Sequence, residues 1–359
     1  MDEKYMEMVL RLAKKGVGRT SPNPLVGAVI VKNGKIVGTG YHQKIGSPHA
    51  ETNALKSAGK KGKGATLYVN LEPCSHFGRT PPCVDSIIRN GIREVICATI
   101  DPNPKVNGAG VKQLRQAGIK IKLGVLEDEA RKLNEIYFKR ITSGFPFVAL
   151  KIVQTLDGKI ATLDGDSKWI SQKDSRRFVH SLRKQMDAVL VGVNTVIKDD
   201  PKLTTREVKG KNPLRIVLDS EGRIPLNSNL LKKNKDNKTV IVVTTNKAGG
   251  KLKNKAQVWK VKSNYQNKID LKVFLKLAAQ KGISSILVEG GREIFSSFLK
   301  EKLADKIYCF ISPKIIGEGI SSFGSLNIKK IKDALKLKDV ELKEFSNDIL
   351  LIGYLDWRR

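Results

Sequence analysis

The sequence predicts an α/β protein made of two three-layer domains, and three observations support this fold class. A chain of 359 residues is long enough for about two domains. Short apolar runs alternate with segments of helical spacing, an order typical of sheets covered by helices on both faces. The turn-forming sequence Gly144-Phe145-Pro146 interrupts this alternation, which then starts again. We therefore predict one domain over residues 1–144 and a second over residues 145–359.

The first domain is predicted to alternate between helices and strands. Gly16 is placed to end a helix at the amino terminus, and Asn33-Gly34 between two apolar runs is a strong hairpin signal. Pro48 stands where another helix begins, so His49 and Glu51 fall in its first turn. The predicted helices cover residues 2–15, 49–58, 84–90, 111–117 and 127–143, and the predicted strands cover residues 25–32, 35–41, 65–71, 94–99 and 119–123.

One histidine and two cysteines of this domain form a pattern typical of a catalytic zinc site. His49 and Glu51 form an H-x-E motif, which Pro73-Cys74 and then Cys83 follow. Three such ligands hold zinc and leave its fourth position for water. The glutamate is then free to move protons, the arrangement described for zinc-dependent nucleobase deaminases. We therefore predict His49, Cys74 and Cys83 as ligands of one zinc ion and Glu51 as the catalytic acid and base.

The second half of this motif is longer than usual. The common form is P-C-x-x-C, whereas eight residues separate Cys74 from Cys83 here. The insertion brings Ser75, His76 and Arg79 beside the predicted metal, where they could contact a substrate. His76 is also a rival zinc ligand.

The second domain is also predicted to alternate, with weaker functional signals. Glu289-Gly290-Gly291 between a strand and a helix could hold a diphosphate, although such turns are structural at least as often. No G-x-G-x-x-G motif follows its first strand, which disfavours a Rossmann fold. The predicted helices cover residues 172–185, capped by Ser171, 271–280 and a segment from 291 to 300. The predicted strands cover residues 147–156, 188–192, 214–219, 240–245, 258–261 and 285–289, with two antiparallel strands over residues 340–357.

Composition narrows the class of protein. The chain has 66 lysine and arginine residues against 35 acidic ones, a net charge of +31, which suits anionic partners. The lysines are spread over most of the chain, as on a solvated surface, and aromatic residues make up only 6%. Four cysteines, with Cys97 and Cys309 in apolar runs, fit a reducing compartment. We predict a cytoplasmic protein, since no signal region or membrane-spanning run is present.

Several motifs together resemble one known family. In the first domain they are Ser21-Pro22-Asn23-Pro24-x-Val26-Gly27, His49-Ala50-Glu51, Pro73-Cys74-Ser75-His76 and Gly78-Arg79-Thr80-Pro81-Pro82-Cys83. In the second they are Leu156-Asp157-Gly158-Lys159-Ile160-Ala161, Ser167-Lys168-Trp169-Ile170, Val191-Gly192-x-x-Thr195 and Asp199-Asp200-Pro201-x-Leu203-Thr204. These motifs resemble the bifunctional deaminase-reductase of riboflavin biosynthesis over essentially the whole chain.

This resemblance implies a fold, two reactions and their cofactors. The first domain would have a cytidine-deaminase-like fold and would deaminate 2,5-diamino-6-(5-phosphoribosylamino)pyrimidin-4-one. The second would have a dihydrofolate-reductase-like fold and would reduce the ribosyl group to ribityl with NADPH. The expected partners are this phosphorylated pyrimidine and further copies of the chain, with no nucleic acid and no membrane.

The resemblance also implies residue roles. In the deaminase, the substrate contacts would be Asn23, His42, Ser75, His76 and Arg79. In the reductase, the cofactor contacts would be Gln154, Trp169, Thr195, Asp199, Ser220 and Gly291, and the substrate contacts would be Ser167, Arg183, Leu203, Arg206 and Glu289. Arginine suits a phosphate, because its guanidinium group binds phosphate in two places. Hydride transfer to an open-chain imine needs a proton donor, and the candidates are Lys151, Asp199 and Glu289.

Two alternatives stay open from the sequence. The high positive charge favours a nucleic-acid deaminase, whereas the large second domain and the scarcity of aromatic residues disfavour it. A zinc-stabilised binding protein without turnover would need a fourth protein ligand, for which His76 and Cys97 are the candidates.

Overall fold

A computed structural model describes residues 1–77, 81–232, 238–244, 252 and 255–357. The chain divides into two compact units, Met1–Phe145 and Pro146–Arg359. None of the helices in the described part of the chain combines the length and the apolar character that crossing a membrane demands.

The first unit is a five-stranded sheet with helices on both faces. Its helices are α1 (Asp2–Lys14), α2 (Ala50–Ala58), α3 (Cys83–Arg89), α4 (Ala109–Gln116), α5 (Glu127–Leu133) and α6 (Glu135–Ser143). Its strands are β1 (Gly27–Lys32), β2 (Lys35–Tyr41), β3 (Thr66–Val69), β4 (Glu94–Cys97) and β5 (Lys120–Leu123), in the order β2-β1-β3-β4-β5. β1 is antiparallel to both neighbours, whereas β3, β4 and β5 are parallel.

Alternating side chains of β1 show why this sheet is covered twice. Ala28 and Ile30 belong to an apolar cluster with residues of α2, α3 and α4. Val29 and Val31 belong to a second cluster with residues of α1. Because successive strand residues point to opposite faces, each face needs its own helices. The predicted three-layer arrangement is confirmed for this unit.

Glycine allows α2 to pack closely on β2. A Cβ atom on Gly40 would lie 2.3 Å from the carbonyl oxygen of Ala50, which is closer than real Cβ atoms approach. The helix that carries Glu51 therefore rests directly on the sheet. Asn33 and Gly34 both have positive φ, 48° and 73°, as the tight turn of the predicted hairpin requires.

The single helix predicted over residues 127–143 is wrong, because Asn134 divides it into α5 and α6. Asn134 is 2% exposed and has a φ of −105° and a ψ of 20°. The backbone N–H of Leu25 donates to its Oδ1 at 2.7 Å, and its Nδ2 donates to the Leu25 carbonyl at 3.0 Å. This pairing across 109 positions of sequence outweighs the local helical pattern.

The second unit is built on a nine-stranded sheet. Its helices are α7 (Lys173–Gln185), α8 (Val193–Asp199), α9 (Leu271–Gln280) and α10 (Arg292–Lys300). Its strands are β6 (Phe147–Thr155), β7 (Lys159–Thr162), β8 (Ala188–Gly192), β9 (Leu214–Leu218), β10 (Thr239–Thr244), β11 (Gln257–Val261), β12 (Ser285–Val288), β13 (Lys306–Ser312), β14 (Gly319–Ser321), β15 (Leu337–Phe345) and β16 (Asp348–Leu355). The sheet order is β11-β10-β9-β8-β12-β6-β13-β16-β15, and β7 pairs separately with β14.

The first seven strands in this sheet order, β11-β10-β9-β8-β12-β6-β13, are parallel to one another. The last two, β16 and β15, are each antiparallel to the strand before them in that order.

The predicted cap of α7 by Ser171 is wrong. The carboxylate of Asp348 instead accepts the backbone N–H of Gln172 at 2.7 Å and the hydroxyl of Ser175 at 2.6 Å. A residue 176 positions away thus completes the start of this helix.

Candidate active sites

Three residues from separate elements of the first unit bring zinc-type ligand atoms together. His49 precedes α2, Cys74 follows β3, and Cys83 begins α3. The Nδ1 atom of His49 lies 3.2 Å from Cys83 Sγ and 3.5 Å from Cys74 Sγ. The three ligand atoms all lie within 4.8 Å of one another. Zinc bonds of about 2.0–2.1 Å to nitrogen and about 2.3 Å to sulfur produce separations of this size, so the residues fit a zinc ion.

The metal group has three members within the described part of the chain. His76 lines the neighbouring cavity but is not a member of the group. The thiol of Cys97 donates to the carbonyl of Thr99 at 3.2 Å and is buried in the core. Three protein ligands leave a position for water, as in catalytic zinc sites, whereas a structural site closes with four.

Glu51 presents a buried carboxylate beside this group. The residue is 3% exposed, and its Oε2 atom makes no hydrogen bond to the described residues. A buried polar atom of this kind is costly unless water or a substrate group completes its bonding. Burial raises the pKa of the Glu51 carboxyl group to about 6. A pKa near the working pH suits a group that accepts a proton and then returns it.

A cavity of about 430 Å³ opens at the metal group. Of the predicted substrate contacts, Asn23, His42 and His76 line it. Asn23 Nδ2 lies 3.1 Å from His42 Nε2, and His42 Nδ1 lies 3.3 Å from a backbone carbonyl, so the ring is held from both sides. Ser75 is not among the lining residues, and Arg79 lies outside the described residues.

A second buried carboxylate, absent from the sequence predictions, shapes the wall of this cavity. Glu72 is 3% exposed and accepts the backbone N–H groups of Asp101 at 3.2 Å, Gly108 at 2.9 Å and Val111 at 3.1 Å. The carboxylate of Asp101 in turn accepts the hydroxyl of Tyr137 at 2.9 Å. These bonds tie α4 and α6 to the strand end beside the metal group. No local motif marks them, because the partners of Glu72 lie 29 to 39 positions away.

A cavity of about 680 Å³ in the second unit collects most of the predicted reductase residues. Its lining includes Lys151, Ser167, Trp169, Arg183, Thr195, Asp199, Leu203, Arg206, Glu289 and Gly291. Gln154 and Ser220 are not in the lining. Gln154 Oε1 accepts the hydroxyl of Ser322 at 2.6 Å, and the Ser220 carbonyl accepts the hydroxyl of Thr244 at 3.0 Å. The cavity geometry therefore gives no support to cofactor contacts by these two residues.

A carboxylate between two cations lies in the lining of this cavity. Glu289 follows β12, and its side chain is 5% exposed. Arg183 donates to it twice, from Nε at 2.6 Å and from Nη2 at 2.8 Å, and Lys151 Nζ lies 3.8 Å away. Burial raises the pKa of Glu289, but the neighbouring charges outweigh burial and lower it to about 2. Glu289 is therefore ionised and cannot donate a proton near neutral pH.

The contacts of Arg183 do not favour the phosphate-binding role that its residue type suggests. Besides its two bonds to Glu289, its Nη1 donates to the carbonyl of Thr204 at 2.9 Å. Both arms of the guanidinium group are thus engaged within the protein. Arg206 also lines the cavity, its side chain is 51% exposed, and its Nε lies 3.9 Å from Glu207. Arg206 is the better placed of the two for a substrate phosphate.

Two groups in this cavity have pKa values moved towards neutrality. Burial lowers the pKa of Lys151, against the effect of Glu289. Burial also raises the pKa of Asp199. His180, which the sequence analysis missed, lines the same cavity, and burial followed by the charge of Arg183 lowers its pKa to about 4. Its imidazole ring is therefore neutral near pH 7.

We expect Glu289→Gln to destabilise the second unit by about 3–5 kcal/mol, because it leaves two largely buried cations, Lys151 and Arg183, without their counter-charge. The pKa of Glu289 is lower in the folded chain, about 2, than the usual 4.5. Its stabilising effect is therefore complete above pH 4.5 and is lost as the pH falls towards 2. All three tryptophans, Trp169, Trp259 and Trp357, lie in this unit, so urea unfolding followed by tryptophan fluorescence measures the effect.

Glu293→Gln is a matched control for this variant. Glu293 lies in the first turn of α10, is 72% exposed and pairs only loosely with Lys268, at 3.6 Å. Loss of an exposed pair changes stability by about 0–1 kcal/mol. Equal stability of the Glu289→Gln and Glu293→Gln proteins from pH 5 to 8 would contradict the role given to Glu289.

Comparison with known protein families gives one match within each unit. Residues 1–99 match the cytidine and deoxycytidylate deaminase zinc-binding region. Residues 146–351 match the RibD C-terminal domain. The first match contains the three metal ligands and Glu51, and the second contains the Lys151–Glu289–Arg183 cluster.

Curated relatives are similar to this chain over nearly its whole length, and therefore over both matched regions. The riboflavin biosynthesis protein RibD of Aquifex aeolicus is 52% identical over 353 residues, covering 98% of each chain. RibD of Escherichia coli is 38% identical, again with 98% of each chain covered.

Solved structures agree with these relatives. The Thermotoga maritima diaminohydroxyphosphoribosylaminopyrimidine deaminase/5-amino-6-(5-phosphoribosylamino)uracil reductase has a TM-score of 0.86 and 40% identity over 99% of each chain. Acinetobacter baumannii RibD has a TM-score of 0.89 and 35% identity, also over 99% of each chain. The two predicted folds, cytidine-deaminase-like and dihydrofolate-reductase-like, are confirmed by these matches. The chain therefore belongs to the RibD family, the bifunctional riboflavin-biosynthesis enzymes that join a zinc-dependent deaminase to a reductase that uses a nicotinamide cofactor.

Proposed function

We propose that the two cavities act in sequence on one phosphorylated pyrimidine. The first hydrolyses 2,5-diamino-6-(5-phosphoribosylamino)pyrimidin-4-one to the uracil compound and ammonia. The second reduces the ribosyl group with NADPH and yields 5-amino-6-(5-phosphoribitylamino)uracil. The observation that carries this proposal is the presence of two different sites in one chain. One unit has an open three-ligand metal group beside the Glu51 carboxylate, whose Oε2 atom makes no hydrogen bond to the described residues, and the other unit has a cation-lined cavity.

In the deaminase, His49, Cys74 and Cys83 would hold one zinc ion per chain. Zinc, when bound, acts as a Lewis acid that makes water nucleophilic near neutral pH. Glu51 takes a proton from water and returns protons to the ring nitrogen and to the departing amino group, which leaves as ammonia. Its pKa of about 6 allows both transfers within one turnover.

Residues around the metal group would hold the pyrimidine. Asn23 and His42, which contact each other, present an amide and an imidazole to the cavity. His76 contributes a further ring from the loop after Cys74. Ser75 and Arg79 keep their proposed roles on the basis of the family motif alone.

In the reductase, NADPH, when bound, would supply hydride for the sugar carbon of an open-chain imine, and a side chain of the cavity would supply the proton for its nitrogen. The proton donor is Lys151 or Asp199, because Glu289 is ionised. Glu289 holds Lys151 in place and balances its charge. Of the three residues predicted as possible proton donors, two therefore stay candidates.

The remaining cavity residues divide between cofactor and substrate. Gly291 precedes α10, whose exposed N–H groups suit the diphosphate of NADPH. Thr195 and Trp169, which is 63% exposed, would complete the cofactor site. Arg206 would bind the substrate phosphate. Ser167 and Leu203 would contact the rest of the substrate.

The expected partners are a phosphorylated pyrimidine and further copies of the chain, without nucleic acid. The test is to supply purified protein with the diamino compound and NADPH, while following ammonia and the absorbance of NADPH separately. Ammonia should appear before NADPH is oxidised. Oxidation of NADPH without release of ammonia would contradict the proposal.

A further inference from the structure

An arginine and a tryptophan form a stacked pair in the lining of the reductase cavity, which includes both residues. The guanidinium carbon Cζ of Arg176 lies over the indole ring of Trp169, 4.6 Å from the ring centroid. Trp169 is nevertheless 63% exposed, so the arginine leaves much of this residue open. A large aromatic side chain left open at a cavity offers a surface on which a planar ligand ring can stack.

Arg176 is itself held in a defined position. It lies in α7 directly after Ser175, which is completely buried. The carboxylate of Asp348 accepts the Ser175 hydroxyl at 2.6 Å and so attaches this turn of α7 to β16. The Nη1 atom of Arg176 also donates to the carbonyl of Ser171. Contacts of the helix and of the side chain therefore both direct the guanidinium group to its place over the indole ring.

A different residue holds the main chain of Trp169. Lys314, in the loop after β13, donates from Nζ to the Trp169 carbonyl at 2.6 Å. The carbonyl of Lys314 in turn accepts the backbone N–H of Leu156 at 2.8 Å. These bonds leave the rotamer of the indole side chain unspecified, and exposed side chains change rotamer within nanoseconds. A contact with the ring itself is needed to keep it in one orientation, and Arg176 provides that contact.

We propose that Arg176 is a positioning residue, which holds the Trp169 indole ring as a fixed surface for a planar ring of the nicotinamide cofactor. This inference rests on the proposed function, in which Trp169 contacts NADPH, and it adds a residue that acts through Trp169. The attraction between a guanidinium cation and the face of an indole ring keeps the ring in place. Without Arg176, cofactor binding has to order the indole side chain, which lowers affinity.

The test measures NADPH oxidation with the deaminated uracil compound as the second substrate. Arg176→Gln should raise KM for NADPH about threefold to thirtyfold, the factor that corresponds to one cation–π contact. The kcat value and KM for the uracil compound should each change less than twofold. Arg176→Lys should give an intermediate KM for NADPH, because lysine keeps the charge without the planar group. A loss of folded protein lowers kcat and leaves KM unchanged, so a purely structural effect is recognisable.

A double-mutant cycle shows whether Arg176 acts through Trp169. Trp169→Leu should itself raise KM for NADPH. Adding Arg176→Gln to Trp169→Leu should raise it less than twofold further, because the stacking surface is already absent. An effect of Arg176→Gln that is equally large with and without Trp169 would mean that the arginine contacts the cofactor itself, and would overturn the inference.

Arg177→Gln is the matched control on the same helix. The residues of α7 that line the cavity follow the helical spacing of one face and are Lys173, Arg176, Val179, His180 and Arg183. Arg177 is exposed and is not among them, so its loss should change KM for NADPH less than twofold. Equal KM values for NADPH in Arg176→Gln and Arg177→Gln would overturn this inference alone, as would a change confined to KM for the uracil compound. A parent that does not oxidise NADPH with this compound would overturn the proposed function as well.

Discussion

The Glu51→Gln protein should retain zinc and should release ammonia more slowly than the parent. The rate should fall by a factor of about 10²–10⁴ or more, because general acid-base catalysis usually contributes a factor of this size. Glutamine keeps the size and the hydrogen-bonding reach of the side chain but cannot accept a proton. Glu51 is 3% exposed and lies in the first turn of α2, so the change adds no bulk to the core. Zinc content by atomic absorption and ammonia release under saturating substrate measure the two effects.

Asp85→Asn provides the matched control, since it makes the same chemical change at an exposed position of α3, near Cys83. Its ammonia release should stay within threefold of the parent. A Glu51→Gln protein with the same activity as Asp85→Asn would remove Glu51 from the mechanism. Loss of zinc from Glu51→Gln would instead give this residue a structural role.

Cys83→Ser should lose zinc and deamination together, with the reductase reaction intact. Loss of an outer-shell partner alone lowers metal affinity about 10- to 100-fold, and loss of a ligand should exceed that. Cys83 is 1% exposed and its sulfur lies 3.2 Å from His49 Nδ1, so a hydroxyl at this position is a poor replacement. Zinc content, ammonia release and NADPH oxidation with the deaminated compound should be measured on one preparation.

Cys309→Ser is the corresponding control in the second unit. Cys309 is partly buried in β13 and lies outside the metal group, so this variant should keep its zinc and its deaminase activity. Full zinc occupancy in Cys83→Ser would show that Cys83 is not a ligand and that the long loop before it has another purpose.

Local patterns predicted the elements whose structure depends on neighbouring residues. The Asn33-Gly34 hairpin and the helix after His49 are as predicted, because turn chemistry and helix starts are decided within a few residues. The division of the last helix of the first unit at Asn134 was not predicted, because its partner Leu25 is distant in sequence. The helix α8 was also not predicted. The start of α7 depends in the same way on Asp348, from β16.

The residues of the candidate sites also divide into those that a local motif reveals and those whose partners are distant in sequence. His49, Glu51, Cys74 and Cys83 could be found because zinc chemistry requires particular residue types in a fixed order. The role of Arg183 could not be read from its residue type, since its engagement by Glu289 spans 106 positions.

The measurement that tests the account most directly is NADPH oxidation by the Glu51→Gln protein with two substrates. If the reductase cavity recognises the deaminated ring, the diamino compound leaves polar groups of that cavity unpaired and is rejected. The variant should therefore oxidise almost no NADPH with the diamino compound, although its second unit is unchanged. The deaminated uracil compound should restore oxidation to the parent rate. Rapid oxidation of NADPH by Glu51→Gln with the diamino compound would contradict the proposed order, in which deamination precedes reduction.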